Sequence, residues 1–146
     1  MILNKIKKIN KKKGILFWIT GLSGSGKTTL GKIIHKDISK LYGPTLMISG
    51  DDLRKIFNLK DYDYKGRLEI GKKFNKFSKF VTGQNINLIF AVVGMFDQVR
   101  NLNKLNIENY IEIYIKSNIK EIIKVKKIKI YKLKNPGKLI GIDIRP

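Results

Sequence analysis

The most constraining feature of the sequence is a glycine-rich loop between an apolar run and a helix-like run, in residues 14–32, GILFWITGLSGSGKTTLGK. The loop matches the pattern G-x-x-x-x-G-K-[ST], which is meaningful when a strand precedes it and a helix follows it. Glycines let successive backbone N–H groups turn toward one centre, and the N-terminus of the helix adds its positive end. This segment therefore predicts a loop that holds the phosphates of a nucleotide.

The residues of the loop predict how the nucleotide is bound. We expect Lys27 to reach the terminal phosphates as a catalytic residue, and Thr28 to ligate Mg²⁺. The predicted ATP-binding residues are Gly21, Leu22, Ser23, Gly24, Ser25, Gly26, Lys27, Thr28 and Thr29. ATP and Mg²⁺ are therefore the expected cofactors.

Apolar runs alternate with helical patterns along the chain. The predicted strands are 15–20, 45–49, 86–93 and 110–115, and the predicted helices are 27–42, 51–57, 65–82, 96–107 and 118–125. Short apolar strands that alternate with helices favour a parallel sheet covered on both faces. We predict one α/β domain over residues 14–146, with a mostly parallel central sheet and helices on both faces, after a basic arm of residues 1–13.

Helical periodicity also predicts which side chains two of the helices bury. The first helix is expected to turn Leu30, Ile33, Ile34, Ile38 and Leu41 inward, and the helix 65–82 is expected to turn Leu68, Phe74, Phe77, Phe80 and Val81 inward. Trp18 is expected in the core, and Glu69 and Glu112 on ordinary polar faces.

The net charge of +20 comes mainly from lysine, because Arg54, Arg67, Arg100 and Arg145 are the only arginines. Such a balance points to anionic partners, but the sequence has no platform of arginine and aromatic residues for stacking bases. Nucleic acid is therefore disfavoured as a partner. No apolar run approaches the ~20 residues of a membrane span. The absence of cysteine fits a reducing compartment, and we predict a cytoplasmic protein, with a homodimer left open.

A second group of residues identifies the class of nucleotide protein. The run 103–106, NKLN, lacks the aspartate of the base-reading motif of GTPases. Asp51 and Asp52 follow the second strand at its carboxyl end, where open α/β sheets place their ligands. A carboxylate there takes a proton from an attacking hydroxyl or orients a magnesium-bound water, whereas an acidic helix cap is the alternative explanation. Both explanations can hold for two adjacent acids. A small P-loop kinase needs a second site for a phosphate acceptor, and these residues fit such a site. We therefore predict the three-layer P-loop kinase fold.

Three segments, in this order and spacing, resemble the adenylylsulfate (APS) kinase family: FWITGLSGSGKTTL, SGDDLR at 49–54 and RLEIGKK at 67–73. The runs IYK at 130–132 and GID at 141–143 are similar to the lid and to a later segment of that family. The resemblance covers residues 15–143. It implies a kinase that transfers the γ-phosphoryl group of MgATP to the 3′-hydroxyl of a small-molecule nucleotide acceptor carrying a 5′-phosphosulfate.

The resemblance also implies a set of acceptor-binding residues: Asp51, Arg54, Tyr62, Arg67, Lys72, Tyr131 and Lys132. Asp51 matches the acid near the attacking hydroxyl, so we assign the catalytic role to Asp51. Arg54, Arg67 and Lys72 match basic residues that hold the acceptor's phosphates. Tyr62 falls near an aromatic residue that stacks on the acceptor base, and Tyr131 and Lys132 fall in the lid.

Departures from the family pattern fall mainly on the acceptor side. Gly94 replaces a serine, Ile70 replaces an asparagine, and the lid lacks an arginine–aspartate pair. The family usually continues into another strand and helix beyond the end of this chain, and we expect the domain to lack them. Residues 92–115 look more like the branch found with capsule-polysaccharide genes, whose members are implicated in phosphorylating cytidine 5′-diphosphoramidate. That acceptor is favoured over APS, and an impaired P-loop protein that binds nucleotide or RNA remains the alternative of another class.

Overall fold

The computed structural model describes residues 12–126. Most of the basic arm and the predicted lid residues Tyr131 and Lys132 lie outside the described residues. The elements are β1 (Ile15–Gly21), α1 (Lys27–Tyr42), β2 (Thr45–Ser49), α2 (Gly50–Ile56), α3 (Tyr64–Gly83), β3 (Asn87–Val92), α4 (Asp97–Asn106), β4 (Asn109–Ile115) and α5 (Ile119–Lys126). Each predicted strand and helix is present, and its bounds differ from the prediction by at most one residue at either end.

The four described strands form one sheet in the order β2-β3-β1-β4, and every pairing is parallel. The central strand β1 is buried along its whole length. The chain first adds strands on one side of β1 and later adds β4 on the other side. The carboxyl end of β1 is therefore a reversal point of the strand order, where sheets of this kind bind their ligands.

Both faces of the sheet are covered, which confirms the predicted three-layer α/β fold. Side chains alternate along β1, so that Leu16 and Trp18 pack on one face with residues of α2, α3 and α4. Phe17 and Ile19 pack on the other face with residues of α1. Trp18 is fully buried, as predicted.

Three of the predicted inward side chains point to solvent instead. Ile33 is 67% exposed and Leu41 is 71% exposed on α1, and Phe80 is 68% exposed on α3. The other predicted side chains of these two helices belong to the cores or pack against them. The helix faces that touch the sheet are therefore narrower than the apolar pattern indicates.

Glu112 corrects the prediction of an ordinary polar face. It lies on β4, in register with Trp18 of β1, and its carboxylate accepts hydrogen bonds from Arg100 at 2.8 Å and from the Tyr110 hydroxyl at 2.8 Å. Burial alone would raise the pKa of Glu112, but the hydrogen bonds from Arg100 and Tyr110 lower it below its ordinary value. Burial, followed by the hydrogen bond to Glu112, raises the pKa of Tyr110. The partly buried ion pair joins α4 to β4.

We expect Arg100→Gln to lower the free energy of unfolding by about 1–3 kcal/mol near neutral pH, because it leaves the Glu112 carboxylate without its charged donor. The folded-state pKa of Glu112 is depressed, so its contribution is present above the unfolded pKa of about 4.3 and is lost as the pH falls through the folded value. Urea unfolding near pH 7 and near pH 3 measures this difference, which should shrink at the lower pH.

Lys72→Gln is the matched control, because Lys72 pairs with Glu69 on the exposed surface of α3. We expect little change in unfolding from this variant. An equal loss from both variants, or a loss from Arg100→Gln that does not depend on pH, would contradict the assignment to the Glu112 pair.

No helix within residues 12–126 is both long and apolar enough to cross a membrane.

Candidate active site

The loop between β1 and α1 is shaped by left-handed glycines. Gly24 has φ 80° and Gly26 has φ 94°, backbone conformations that side chains with a Cβ rarely adopt. Gly26 is also the N-cap of α1, and no side chain in the described part of the chain caps that helix end. The first N–H groups of a helix have no partner within the helix and carry its positive end, so the start of α1 suits an anion.

A cavity of about 210 Å³ lies at this helix end. Its lining comprises Ser23, Gly24, Gly26, Lys27, Thr28, Thr29, Ser49, Gly50, Asp51, Ala91, Val92 and Val93. Six of the nine predicted ATP-binding residues are therefore brought to one cavity. The ends of β2 and β3 supply the opposite wall.

The other three predicted ATP-binding residues are Gly21, Leu22 and Ser25. Gly21 and Leu22 are buried, and Leu22 packs against Ile122 of α5. The Lys27 ammonium donates a hydrogen bond to the Leu22 carbonyl at 2.7 Å, which ties the lysine to the start of the loop. The Ser25 hydroxyl is buried and has no hydrogen-bond partner within residues 12–126. Gly21, Leu22 and Ser25 therefore do not line the cavity.

The two adjacent acids have different surroundings. Asp52 closes a capping box at the N-terminus of α2: its carboxylate accepts from the Ser49 N–H at 3.0 Å and from the Ser49 hydroxyl at 2.7 Å. The hydrogen bonds from the Ser49 side chain and backbone lower the pKa of Asp52. Asp51 instead lines the cavity at the P-loop. The structure thus separates a helix-capping acid, Asp52, from Asp51, which lines the cavity at the P-loop.

A smaller cavity of about 40 Å³ lies beside the first and shares Val92 and Val93 with it. Two arginines, Arg54 and Arg67, line this cavity. The rest of its lining is apolar side chains and two glycines: Trp18, Ile70, Phe74, Phe96, Val99, Gly71 and Gly94. Burial, and then the nearby Arg54 charge, lower the pKa of Arg67. Two guanidinium groups at one cavity favour an anionic group there.

The same two arginines hold the loop between α2 and α3. Arg54 Nη1 donates to the carbonyls of Leu59 at 3.2 Å and Asp61 at 3.0 Å, and Arg67 Nε donates to the carbonyl of Tyr62 at 2.7 Å. Both guanidinium groups also lie over the Tyr62 ring, at 4.4 Å and 5.4 Å from its centroid. The structure therefore brings together Arg54, Tyr62 and Arg67, three of the residues that the family resemblance implies for the acceptor.

Lys72 is not brought to either of these cavities. Its ammonium pairs with Glu69 at 2.6 Å on the exposed side of α3. Conversely, Trp18 was expected only in the core, but it also lines the smaller cavity. The alternation of β1 places Trp18 on the α3 side of the sheet, but the cavity itself forms only when Arg67 and Gly94 meet it in the fold.

The donor set at the larger cavity fits a magnesium ion that arrives with phosphates. Thr28 offers a hydroxyl oxygen and Asp51 a carboxylate at the same cavity. Mg²⁺ prefers oxygen ligands and is usually held by one or two carboxylates plus substrate phosphates. Within residues 12–126 there is no cluster of three or more His, Cys, Asp or Glu residues that would hold a metal by itself.

A parallel sheet with a phosphate-binding loop at the end of β1, and a second cavity with two arginines beside it, defines a P-loop kinase. Residues 13–144 match the adenylylsulphate kinase family. The chain belongs to this family.

Two curated relatives show the same relationship. A cytidine diphosphoramidate kinase of Campylobacter jejuni is 33% identical over 137 residues, which cover 92% of this chain and 81% of the relative. An adenylyl-sulfate kinase of Clostridium acetobutylicum is 32% identical over 142 residues, which cover 93% of this chain and 70% of the relative. Both relatives are kinases, and this chain is accordingly a kinase rather than a non-enzymatic P-loop protein.

Among solved structures, the Mycobacterium tuberculosis APS kinase CysC in complex with AMPPNP and APS matches with a TM-score of 0.77. The match covers 92% of this chain and 84% of that chain at 19% identity, so it supports the fold. The predicted family and fold class are thereby confirmed.

Proposed function

We propose that this kinase transfers the γ-phosphoryl group of ATP to the 3′-hydroxyl of a nucleotide that carries a 5′-phospho group. The observation that carries this proposal is the pair of adjoining cavities, one with Lys27 and Asp51 and the other with Arg54 and Arg67, which share Val92 and Val93. A phosphoryl donor and an anionic acceptor bound in these cavities would meet at Asp51. Positioning of this kind supplies much of the catalysis of phosphoryl transfer.

The residues of the larger cavity have different roles in this reaction. The backbone of the loop and the start of α1 bind the donor's phosphates, and Lys27 stabilises the charge that develops on the transferred group. Thr28 would hold Mg²⁺, which neutralises charge on the phosphates when bound. The acceptor's 3′-oxygen forms a bond to the γ-phosphorus, the bond from that phosphorus to the bridging oxygen breaks, and ADP leaves. The hydroxyl proton passes to the Asp51 carboxylate.

The acceptor that we favour is cytidine 5′-diphosphoramidate, in the synthesis of a phosphoramidate decoration of a capsule. The relative of that name is 33% identical and covers most of the chain. Arg54 and Arg67 provide the means to bind the 5′-phosphates, while Gly94 and Ile70 change the acceptor-side wall relative to the family pattern. APS is the second candidate, because an adenylyl-sulfate kinase is 32% identical. We place the reaction in the cytoplasm, where ATP is available.

We expect cytidine 5′-diphosphoramidate to be phosphorylated with a higher kcat/KM than APS, because Gly94 and Ile70 replace polar side chains of the family pattern and leave APS without those partners. Coupled measurement of ADP release with each acceptor gives the two values, and phosphorus NMR of the cytidine product should show a new 3′-monophosphate resonance. Turnover of APS about tenfold faster than the cytidine compound would contradict this acceptor assignment.

ADP release without any acceptor is the control for this comparison. Release that does not depend on an acceptor would indicate hydrolysis and would contradict the proposed transfer reaction as a whole. Release that depends on either nucleotide supports the 3′-kinase activity, whichever acceptor is preferred.

A further inference from the structure

The smaller cavity, with Arg54 and Arg67, is the one that the proposed function assigns to the acceptor, and it is called the acceptor-side cavity below. Trp18 forms a rigid part of it. Its side chain is fully buried, and its ring stands edge-on to Phe90 with 5.1 Å between the ring centroids. The indole Nε1 donates a hydrogen bond to the Gly94 carbonyl at 3.3 Å. Because Trp18 is packed on the sheet and bonded to the loop after β3, the indole has little freedom to move away from that loop.

Gly94 passes the indole too closely to carry a side chain. A Cβ at position 94 would lie 2.5 Å from Trp18 Cζ2, 3.1 Å from Trp18 Cε2 and 3.2 Å from Val92 Cγ1. Gly94 is not among the residues with a left-handed backbone, so the need for glycine here comes from space and not from conformation. Any side chain at this position must push the loop of residues 93–95 away from the indole.

A displacement of that loop from the indole would change the dimensions of the acceptor-side cavity, because both groups border it. Trp18 and Gly94 line it together with Arg54 and Arg67, and its volume is only about 40 Å³. The arginines suit the acceptor's phosphates, so the apolar remainder of the cavity suits a compact, uncharged part of the acceptor.

We propose that the contact between Trp18 and Gly94 sets the depth of the acceptor-side cavity, and that position 94 is a specificity-determining position of this kinase. This inference rests on the proposed function, because it assigns the cavity to the acceptor. It adds a determinant that lies neither among the phosphate-binding residues nor at the proposed base. The larger cavity at the P-loop does not include Gly94 and shares only Val93 of the loop 93–95, so we expect the larger effect on the acceptor.

Gly94→Ala tests the proposal, with Gly83→Ala as the matched control. A Cβ at Gly83, the last residue of α3, would meet nothing within 4 Å. We expect Gly94→Ala to raise the KM of the acceptor by about tenfold or more and to leave the KM of ATP nearly unchanged. The control should change neither value. Equal behaviour of the two variants, or a parallel rise in both KM values for Gly94→Ala, would overturn the proposal.

A compensating substitution tests whether the clash between the new methyl group and the indole causes the loss. Phenylalanine at position 18 lacks the Cζ2 atom that the new methyl group would meet. We therefore expect the double variant Gly94→Ala/Trp18→Phe to recover most of the acceptor KM that Gly94→Ala loses. If Gly94→Ala fails to fold, Trp18→Phe alone provides the test: the ratio of kcat/KM values for the two acceptors should shift, and an unchanged ratio would overturn the proposal.

Trp18 is the only tryptophan of the chain, so binding can also be observed without turnover. Titration of the wild type with cytidine 5′-diphosphate should change the intrinsic fluorescence of Trp18, and Gly94→Ala should require a higher concentration for the same change. Wild-type transfer to an acceptor without any fluorescence change would contradict this inference and leave the proposed function intact. Failure of the wild type to phosphorylate any acceptor would contradict both.

Discussion

Lys27→Ala is expected to lower kcat by about 10²–10³-fold, which corresponds to roughly 3–4 kcal/mol of the barrier. The lysine lines the phosphate cavity at the first residue of α1, where it can follow the negative charge as the phosphoryl group moves. A water molecule in its place would have to reorganise during the reaction, whereas the lysine is held in place by the fold. Acceptor-dependent ADP release at saturating ATP and acceptor measures the loss.

Lys32→Ala is the control, because Lys32 lies exposed on the same helix and faces solvent. It removes the same charge from the chain and should retain wild-type turnover. Lys27 also donates to the Leu22 carbonyl at 2.7 Å, so thermal melting of both variants must show that the fold persists. Wild-type turnover by a folded Lys27→Ala variant would remove the lysine, and with it the proposed use of the loop, from the mechanism.

The order and type of the secondary-structure elements could be predicted because the signals are local. β1 is a short apolar run that ends at a glycine, and α1 begins where the glycine-rich loop ends. A loop that uses left-handed residues at Gly24 and Gly26 allows few alternatives to a strand before it and a helix after it. The sheet topology follows from the alternation of strands and helices, since parallel strands require crossovers.

The buried face of α1 could be predicted only in part. Gly31 lies against the sheet, where a Cβ would be 2.7 Å from Met47 Cε, and Ile38 is buried on the same side. Ile33 is turned by about 100° from Ile34 and lies at the edge of the face. Leu41 lies in the last turn of the helix. The helical pattern takes only apolar side chains into account. The contact of α1 with the sheet is instead closest at Gly31, which has no side chain.

The buried face of α3 was misjudged at Phe80 for a different reason. Ser78 and Thr82 are buried in its place, and their hydroxyls donate to the carbonyls of Phe74 at 2.8 Å and Ser78 at 2.9 Å. A hydroxyl that is satisfied by its own helix can be buried at little cost. A prediction based only on side-chain polarity therefore buries Phe80 in place of Ser78 and Thr82, and it is wrong.

The candidate site could also be predicted only in part. The residues at the P-loop are contiguous in the sequence and carry a motif, so they could be predicted together. The acceptor-side cavity combines Trp18, Arg67 and Gly94, which are far apart in the sequence and meet only after the sheet has formed. No pattern in one sequence indicates that the side chain at position 18 limits the residue at position 94.

Asp51→Asn is expected to lower kcat by about 10²–10⁴-fold if Asp51 takes the proton from the acceptor's hydroxyl. The amide is close in shape to the carboxylate but cannot accept that proton. The affinity for ATP should change little, because the loop and Lys27 hold the donor's phosphates. Single-turnover measurement with preformed ATP complex separates this chemical step from binding and from product release.

Asp52→Asn is the matched control, one residue away with the same change of charge. Asp52 closes the capping box with Ser49, so we expect this variant to lose about 0.5–1 kcal/mol of stability and to keep its turnover. The two variants should therefore separate, with Asp51→Asn affecting kcat and Asp52→Asn affecting unfolding. Turnover that falls further in Asp52→Asn than in Asp51→Asn would reverse the assignment. Because the Asp52 carboxylate is held by the Ser49 hydroxyl at 2.7 Å, that result would require the capping box to open during catalysis.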